Sequence, residues 1–557
     1  MNTFILSIGA ILIAILVALF AIPPFIDWNT YRGIFEEEAS RILGRDVRVG
    51  GDVNLRFLPS PYIRFERVTI ASEDGVVGEP FLRAESFTMQ LAAPPLLSGV
   101  VEARKIAIEG AKLRLRLDKN GRGNWQRLNV GRGSLAVTPR EIALQQVALS
   151  DAEVTLEGAE GRLIGRLGAI SGDLAAPTMS GPFRFSGTAQ LAGRDRRVSF
   201  TASRWNAGEQ TSQIRLGLRG ADDADNLKLI GVLTAGPDAP PSFNGSMTAT
   251  FDLNGAVASD RGATTRGDGA RQMVEAQAEL TFDTRVMQLS NLAVSLANSV
   301  RPQTLTGGAT VQLSDTPRVD ASLSSRWLDV DAFLPPSSNA GADGMPWART
   351  ANRLIERASA LVQGDVMAGA VRLQVERAML GGQALGRVDA DLSFAPQRLG
   401  IERFVAIAPG GTTLQIDGTV TPTAANPGTA AQGATAAPRA AEFAGHIVAE
   451  GANVARFARW IIPDDAVAAF RRPQPFALRT SLLLARTRVG LRDLRVTVGT
   501  SDLAGRVAAD LSDGGQIAVS LTGRRVDLRL LKQKFDVAQT LADVLADRSD
   551  RSDTSAA

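Results

Sequence analysis

The hydrophobic pattern of the chain changes period twice. From Phe4 to Ile26 no residue is charged, and the run FILSIGAILIAILVALFAIPPFI is apolar all the way around a helix. At 1.5 Å per residue its 23 residues cross about 30 Å of hydrocarbon. The run therefore predicts a transmembrane anchor carried by Phe4, Ile11, Leu16, Phe20 and Ile26. Only Met1-Asn2-Thr3 precedes it, and no small-x-small site stands before Pro23-Pro24, so the reading is an uncleaved anchor and not a signal peptide. No Lys/Arg cluster follows to hold that side in the cytoplasm, which puts the bulk of the chain outside it.

Asn29 to Leu43 comes next, with Ile34, Phe35, Ala39, Ile42 and Leu43 at helical spacing and Gly44 as a stop. The period then drops to two. Val47, Val49, Val53, Leu55 and Phe57 alternate with polar residues, and Ile63, Phe65, Val68 and Ile70 continue with one slip. Ile106, Ile108, Leu113, Leu115 and Leu117 repeat the pattern, which is that of strands with one apolar and one polar face. Asn120-Gly121 after Leu117 predicts a tight hairpin, and Pro59-Ser60-Pro61 a strand break or edge. An apolar-x-Gly-x-apolar unit recurs at Phe185/Gly187, Phe243/Gly245, Leu305/Gly307, Phe443/Gly445 and Leu503/Gly505, each predicting a strand with glycine on its apolar face. Irregularly spaced single units predict a sheet extended by stacking. Loops are expected at 255–272 and 335–346. Interior helices are expected at 347–363 and at 452–470, the latter breaking at Pro463, and an amphipathic helix at 530–545 before a polar tail.

Composition narrows the chemistry. The 557 residues contain no Cys and one His, His446, which removes disulfides, thiol catalysis and two-His metal motifs. Lys and Arg number 61 against 58 acids, for a net charge of +3. The Arg residues of Lys112–Arg116 alternate with Leu, as on the polar face of a strand. No nucleic-acid partner, no cofactor and no enzyme activity is expected. His446 falls opposite Phe443 and Ile447, at an ordinary polar-face position. Glu36-Glu37-Glu38 reads as a solvated helix face. Gly121-x-Gly123 and Gly131-x-Gly133 read as turns without the third glycine or the GK[ST] of a phosphate loop. Asp329 and Asp331 share a face if that segment is a strand, yet lack the run of oxygen ligands of a Ca²⁺ loop.

At this point the residues carry a resemblance to the AsmA family of bacterial envelope proteins. It rests on the anchor followed by Asp27-Trp28-Asn29-x-Tyr31-Arg32, then Gly44-Arg45, Pro59 and Pro61, and Gly121-Arg122-Gly123-Asn124-Trp125. Trp327 to Pro335 and Leu491 through Leu531 extend it. The family resemblance implies a single-pass inner-membrane protein with a periplasmic body and an N-terminal segment similar to chorein-type lipid-transfer proteins. It implies a mainly β fold, an elongated, curled antiparallel sheet forming a groove with a few short helices. The implied role is outer-membrane biogenesis and lipid homeostasis, with phospholipids as cargo and an outer-membrane assembly protein as a partner. The rival reading is an envelope scaffold that regulates outer-membrane protein or lipopolysaccharide assembly without binding lipid. Segments follow: anchor 1–26, AsmA-like N-terminal segment 27–130, middle sheet 131–334, helix plus sheet 335–418, Ala/Thr/Pro-rich linker or insert 419–441, C-terminal β segment 442–531, and helical end with tail 532–557.

The physics of such a groove needs no family. A sheet that curls without closing on a core leaves its apolar face as a trough, where acyl chains leave water at about 0.8 kcal/mol per CH₂. That attraction is non-directional, so a chain slides. Headgroups stay at the mouth, where Arg meets phosphate.

Overall fold

The computed structural model describes residues 27–525 apart from 57–59, 73–78, 93–102, 119–122, 126–143, 159–160, 162, 178–180, 192, 221–224, 237–239, 253–272, 297–302, 314–316, 334–367, 423–440, 462–472, 486–487 and 511–516. The anchor run, the expected helices at 347–363 and 530–545, and the loops at 255–272 and 335–346 lie outside these residues. Among the described residues no helix is long and apolar enough to cross a membrane.

The described chain is mainly β. A 3₁₀ turn (Trp28–Tyr31) leads into α1 (Arg32–Leu43). Gly44 ends α1 with φ 67°, the left-handed stop expected at that residue. The chain divides into two units, one made of Met1–Phe251, Gln277–Gln288 and Leu313–Asp315, which includes α1, the other of Asp252–Ala276, Leu289–Gln312 and Thr316–Ala557.

The first unit holds β1 (Val47–Val49), β2 (Val53–Arg56), β3 (Tyr62–Ile70), β4 (Leu82–Leu91), β5 (Ala103–Glu109), β6 (Lys112–Arg116), β7 (Leu144–Glu157), β8 (Leu163–Ala176), β9 (Phe183–Leu191), β10 (Arg194–Ala202), β11 (Thr211–Gly220), β12 (Asn226–Thr234) and most of β13 (Ser242–Asp252). β1 and β2 pair side by side on β3, and β3 pairs β4. β5 and β6 are two halves of one line: both lie between β4 and β7 and are interrupted at Gly110, φ 59°. From β7 to β13 each strand pairs antiparallel with the next.

After β14 (Met273–Asp283) and β15 (Val286–Leu296), the second unit runs through β16 (Thr304–Gln312), β17 (Arg318–Asp329), β18 (Ala368–Leu380), β19 (Gln383–Ala395), β20 (Arg398–Ala408), β21 (Thr412–Pro422), β22 (Ala441–Gly451), β23 (Phe476–Leu484), β24 (Arg488–Val498), β25 (Ser501–Asp510) and β26 (Ile517–Arg525). Its helix, α2 (Val454–Ile461), falls inside the expected 452–470.

The expectation of a purely antiparallel sheet is corrected. β5 and β6 run parallel to β7, and β17 runs parallel to β18 from Arg318↔Ala368 to Asp329↔Met379. A two-residue turn cannot join parallel neighbours; they need a crossover of a dozen residues or more. The connections at 117–143 and 330–367 supply that length, which strand alternation alone does not reveal.

At the slip between Phe65 and Val68, Arg67 has φ 51°, while the register to β4 continues unshifted from Glu66↔Ser86 to Val68↔Ala84. Bulges interrupt β7, β8, β20 and β24, the extra residue being Asp151, Ala169 or Asp493 at positive φ in three of them. Each bulge bends its strand and raises the local twist.

Candidate functional site

The family-motif residues build the first end of the fold. Asp27 accepts the amide of Asn29 at 3.0 Å and caps the 3₁₀ turn, and Trp28 and Tyr31 rings lie 5.9 Å apart. The Asn29 side-chain oxygen accepts the amide of Val53 and the guanidinium of Arg32, both at 3.0 Å. Glu36 Oε1 accepts the amide of Val49 at 2.7 Å, and Ser40 Oγ that of Val47 at 2.9 Å. Thus α1 supplies the acceptors for the sheet edge that β3 does not pair, and Phe35 packs edge-on against Phe65 at 5.5 Å. The reading of Glu36 as solvated is corrected for that residue. Glu37 and Glu38 do face solvent and pair with Arg41.

Arg45 is buried, 7% exposed. Its guanidinium lies 4.6 Å over the Phe81 ring and donates to the carbonyls of Ala71 and Asn124. Asn124 in turn bonds the backbone of β6, accepting from the Arg116 amide and donating to the Arg114 carbonyl, both at 3.1 Å. The ring of Trp125 lies where a side chain on Gly123 would sit, 2.4 Å from that position, so glycine there is steric. Leu117 and Gly123 form an antiparallel bridge; the Asn120-Gly121 turn itself lies outside the described residues. Pro61 is buried and its carbonyl accepts the Leu91 amide at 2.8 Å, while Pro59 lies outside. These motif residues are architectural.

Cross-strand register builds a second feature. Residues opposite one another share a face of the sheet. Leu174, Phe185, Phe200, Leu216, Leu229 and Met247 stand in one row across β8 to β13. A second row is Val198, Leu218, Leu227 and Ala249. All six members of the first row are only half-buried. Among the described residues between Ala202 and Val274, no apolar side chain is fully buried. In the second unit the row Val375, Val388, Ala406, Leu414 and Ala449 is buried, from 0 to 9% exposed, and joins one core cluster with Val454 and Phe457 of α2.

The recurring glycine unit has a steric reason. Gly187 faces Gly172, Gly245 faces Gly231, and Gly445 faces Gly418 across neighbouring strands. A Cβ on Gly445 would meet the Phe443 ring at 2.7 Å, and one on Gly231 the Phe243 ring at 2.6 Å. In the three Phe units the ring two residues before the repeat glycine lies within 3 Å of where a Cβ on a glycine of the pair would sit, so the ring and the glycine pair need each other.

The remaining candidates resolve into structure. His446 Nδ1 lies 3.0 Å from the Asp417 carboxylate opposite it, on the exposed polar face, as its strand parity implies. Asp329 ends β17 and Asp331 opens a 3₁₀ turn, so they do not share a strand face. Asp331 accepts the amides of Gly381 and Gly382 at 3.0 and 2.9 Å, capping the β18–β19 turn. No group of three metal-ligating side chains occurs among the described residues. Gly131-x-Gly133 and the 530–545 helix lie outside them.

One constellation escaped the sequence reading. On β9 to β13 the apolar face carries charge at one place, Arg194 and Arg196 of β10 with Asp225, which precedes β12. Arg196 Nη1 lies 2.8 Å and Arg194 Nη1 3.9 Å from Asp225 Oδ2. Strand parity from Val198 and Phe200 places both arginines on the apolar side, so the signal was present. That β12 brings Asp225 to meet them was not.

In comparison with known proteins, residues 3–175 match the AsmA family. No curated protein and no solved structure matches the chain.

Proposed function

We propose, from the match of residues 3–175 to the AsmA family, that the chain is a non-enzymatic protein of the bacterial envelope that carries phospholipid acyl chains on its apolar sheet face. Residues 4–26 anchor it in the inner membrane and the remainder stands in the periplasm. The observation that supports this reading is the row Leu174–Phe185–Phe200–Leu216–Leu229–Met247, apolar on six strands and half-buried on all of them. At about 4.8 Å per strand the row is roughly 24 Å long. Ten methylenes laid on such a surface contribute up to about 8 kcal/mol before the ordering cost of binding. Nothing in the row is polar, so the attraction is uniform along it and a chain moves without breaking a directional bond.

The test is photocrosslinking in the full chain. A photoreactive residue at Leu216 or Leu229 should yield phospholipid adducts, whereas one at Arg215 or Lys228, on the opposite face, should not. Adducts on neither face would remove the lipid reading and leave a scaffold that acts through protein contacts.

A further inference from the structure

We propose that Arg194, Arg196 and Asp225 form a headgroup site for a zwitterionic glycerophospholipid with a primary ammonium, the phosphate on the arginines and the ammonium on the carboxylate. The proposal rests on the acyl-chain reading of the adjoining face.

Three observations carry it. On β9 to β13 the apolar side is otherwise free of charge, yet these three charged groups stand together at one end of it. They are partly withdrawn from water, the side chains of Arg194, Arg196 and Asp225 being 34, 17 and 26% exposed. Charges on an apolar surface lose hydration and return it only through well-made partners. Second, Gly220 stands directly across from Arg196, so no side chain of β11 blocks the guanidinium from reaching over to Asp225. The turn itself is already closed by the backbone bond from the Gly220 amide to the Asp225 carbonyl at 2.7 Å, which the ion pair does not supply. Third, the next positions along these strands are Val198, Leu218 and Leu227, one apolar row. Two residues along a strand is about 7 Å, so a lipid with its tails over that row has its phosphate at the arginines.

The mixture of signs selects the headgroup. An anionic headgroup would satisfy the arginines and set a like charge beside Asp225. A quaternary ammonium has no N–H to donate. A primary ammonium donates to the carboxylate while its phosphate accepts from the arginines, making charge-assisted bonds on both sides.

The experiment uses the full chain in vesicles of equal phosphatidylethanolamine and phosphatidylglycerol, with a photoreactive residue at Leu227 and mass spectrometry of the adducts. The unsubstituted site should enrich phosphatidylethanolamine over the vesicle composition. Asp225→Asn should lower the ethanolamine-to-glycerol adduct ratio about threefold, as expected for a partly exposed ion pair, and Asp225→Glu should keep it. Phosphatidylcholine in place of phosphatidylethanolamine should lose the enrichment. A ratio that follows vesicle composition, or that Asp225→Asn leaves unchanged, overturns the proposal. Failure of the acyl-chain reading is separate and visible as no lipid adduct at Leu216 or Leu229 in any vesicle.

Discussion

Phe457→Ala should release α2 from the second unit. The helix has eight residues, fewer than an isolated helix needs to be stable in water, so packing must hold it. Phe457 is its largest buried side chain, 6% exposed, stacked on Phe476 at 5.0 Å and meeting Trp460 edge-on at 6.0 Å. Truncating a buried Phe to Ala costs about 3–5 kcal/mol. The lower end applies here, because the opened helix gives the cavity a way to collapse. Asn453 still caps the first turn, accepting the Arg456 amide at 3.2 Å. A loss of about 3 kcal/mol, acting on local opening, is roughly a hundredfold loss of amide protection. Hydrogen exchange of the amides of Ala458 to Ile461 should show it, with amides of β9 to β13 unchanged. Phe457→Leu, closer in volume, should cost under about 1.5 kcal/mol. A less than threefold change at α2 in Phe457→Ala would refute the packing argument, and a uniform loss across the chain would refute its local character.

Gly245→Ala would place a Cβ 2.2 Å from the Ile230 carbonyl, and thermal unfolding should show about 1–3 kcal/mol of destabilisation. Gly165→Ala, with nothing within 4 Å of its Cβ, should be neutral or slightly stabilising; equal effects would remove the steric account of the repeat. Asn124→Ala leaves the Arg116 amide without its acceptor and should raise its exchange by tenfold or more, for about 1–3 kcal/mol, while Asn124→Asp keeps the acceptor and most of the protection. The hydrogen-bonded Arg114 guanidinium, 2.6 Å from Glu79, holds that carboxyl below the ordinary glutamate range, helped by Arg116 at 3.0 Å. A lowered folded-state value means the pairing stabilises at pH above the ordinary value and is lost as pH falls through the lowered one. A carboxyl titration followed by NMR should find this midpoint, and Arg114→Gln should move it upward; no movement would refute the assignment.

Much of the local structure was legible along the chain. Period two marked β1 to β6 because a strand's alternation is written in adjacent residues. The slip at Arg67, where φ turns positive, was readable for the same reason, because a break in alternation lies in adjacent residues. α1 and its stop at Gly44 were readable because a helix and its cap lie within a few residues. Asn124, Trp125 and Arg45 were picked out by resemblance, but not their tasks. Arg45 reaches Asn124 across 79 positions, and nothing local says that a buried guanidinium is waiting there.

The sequence by itself determined that the protein is made of two-faced strands with an apolar N-terminal run, and which residues stand on which face of each strand. Those are properties of neighbouring residues and of side-chain alternation. Only the tertiary structure decided which strands pair, where they run parallel, and that each Phe-x-Gly unit of β9, β13 and β22 lies against another glycine. It alone decided that Glu36 closes a sheet edge, that α2 covers one buried row, and that Arg196 meets Asp225 over Gly220. Those facts depend on register between segments tens of residues apart. Register follows from the summed fit of whole faces and the lengths of the connections, not from any one stretch of the chain.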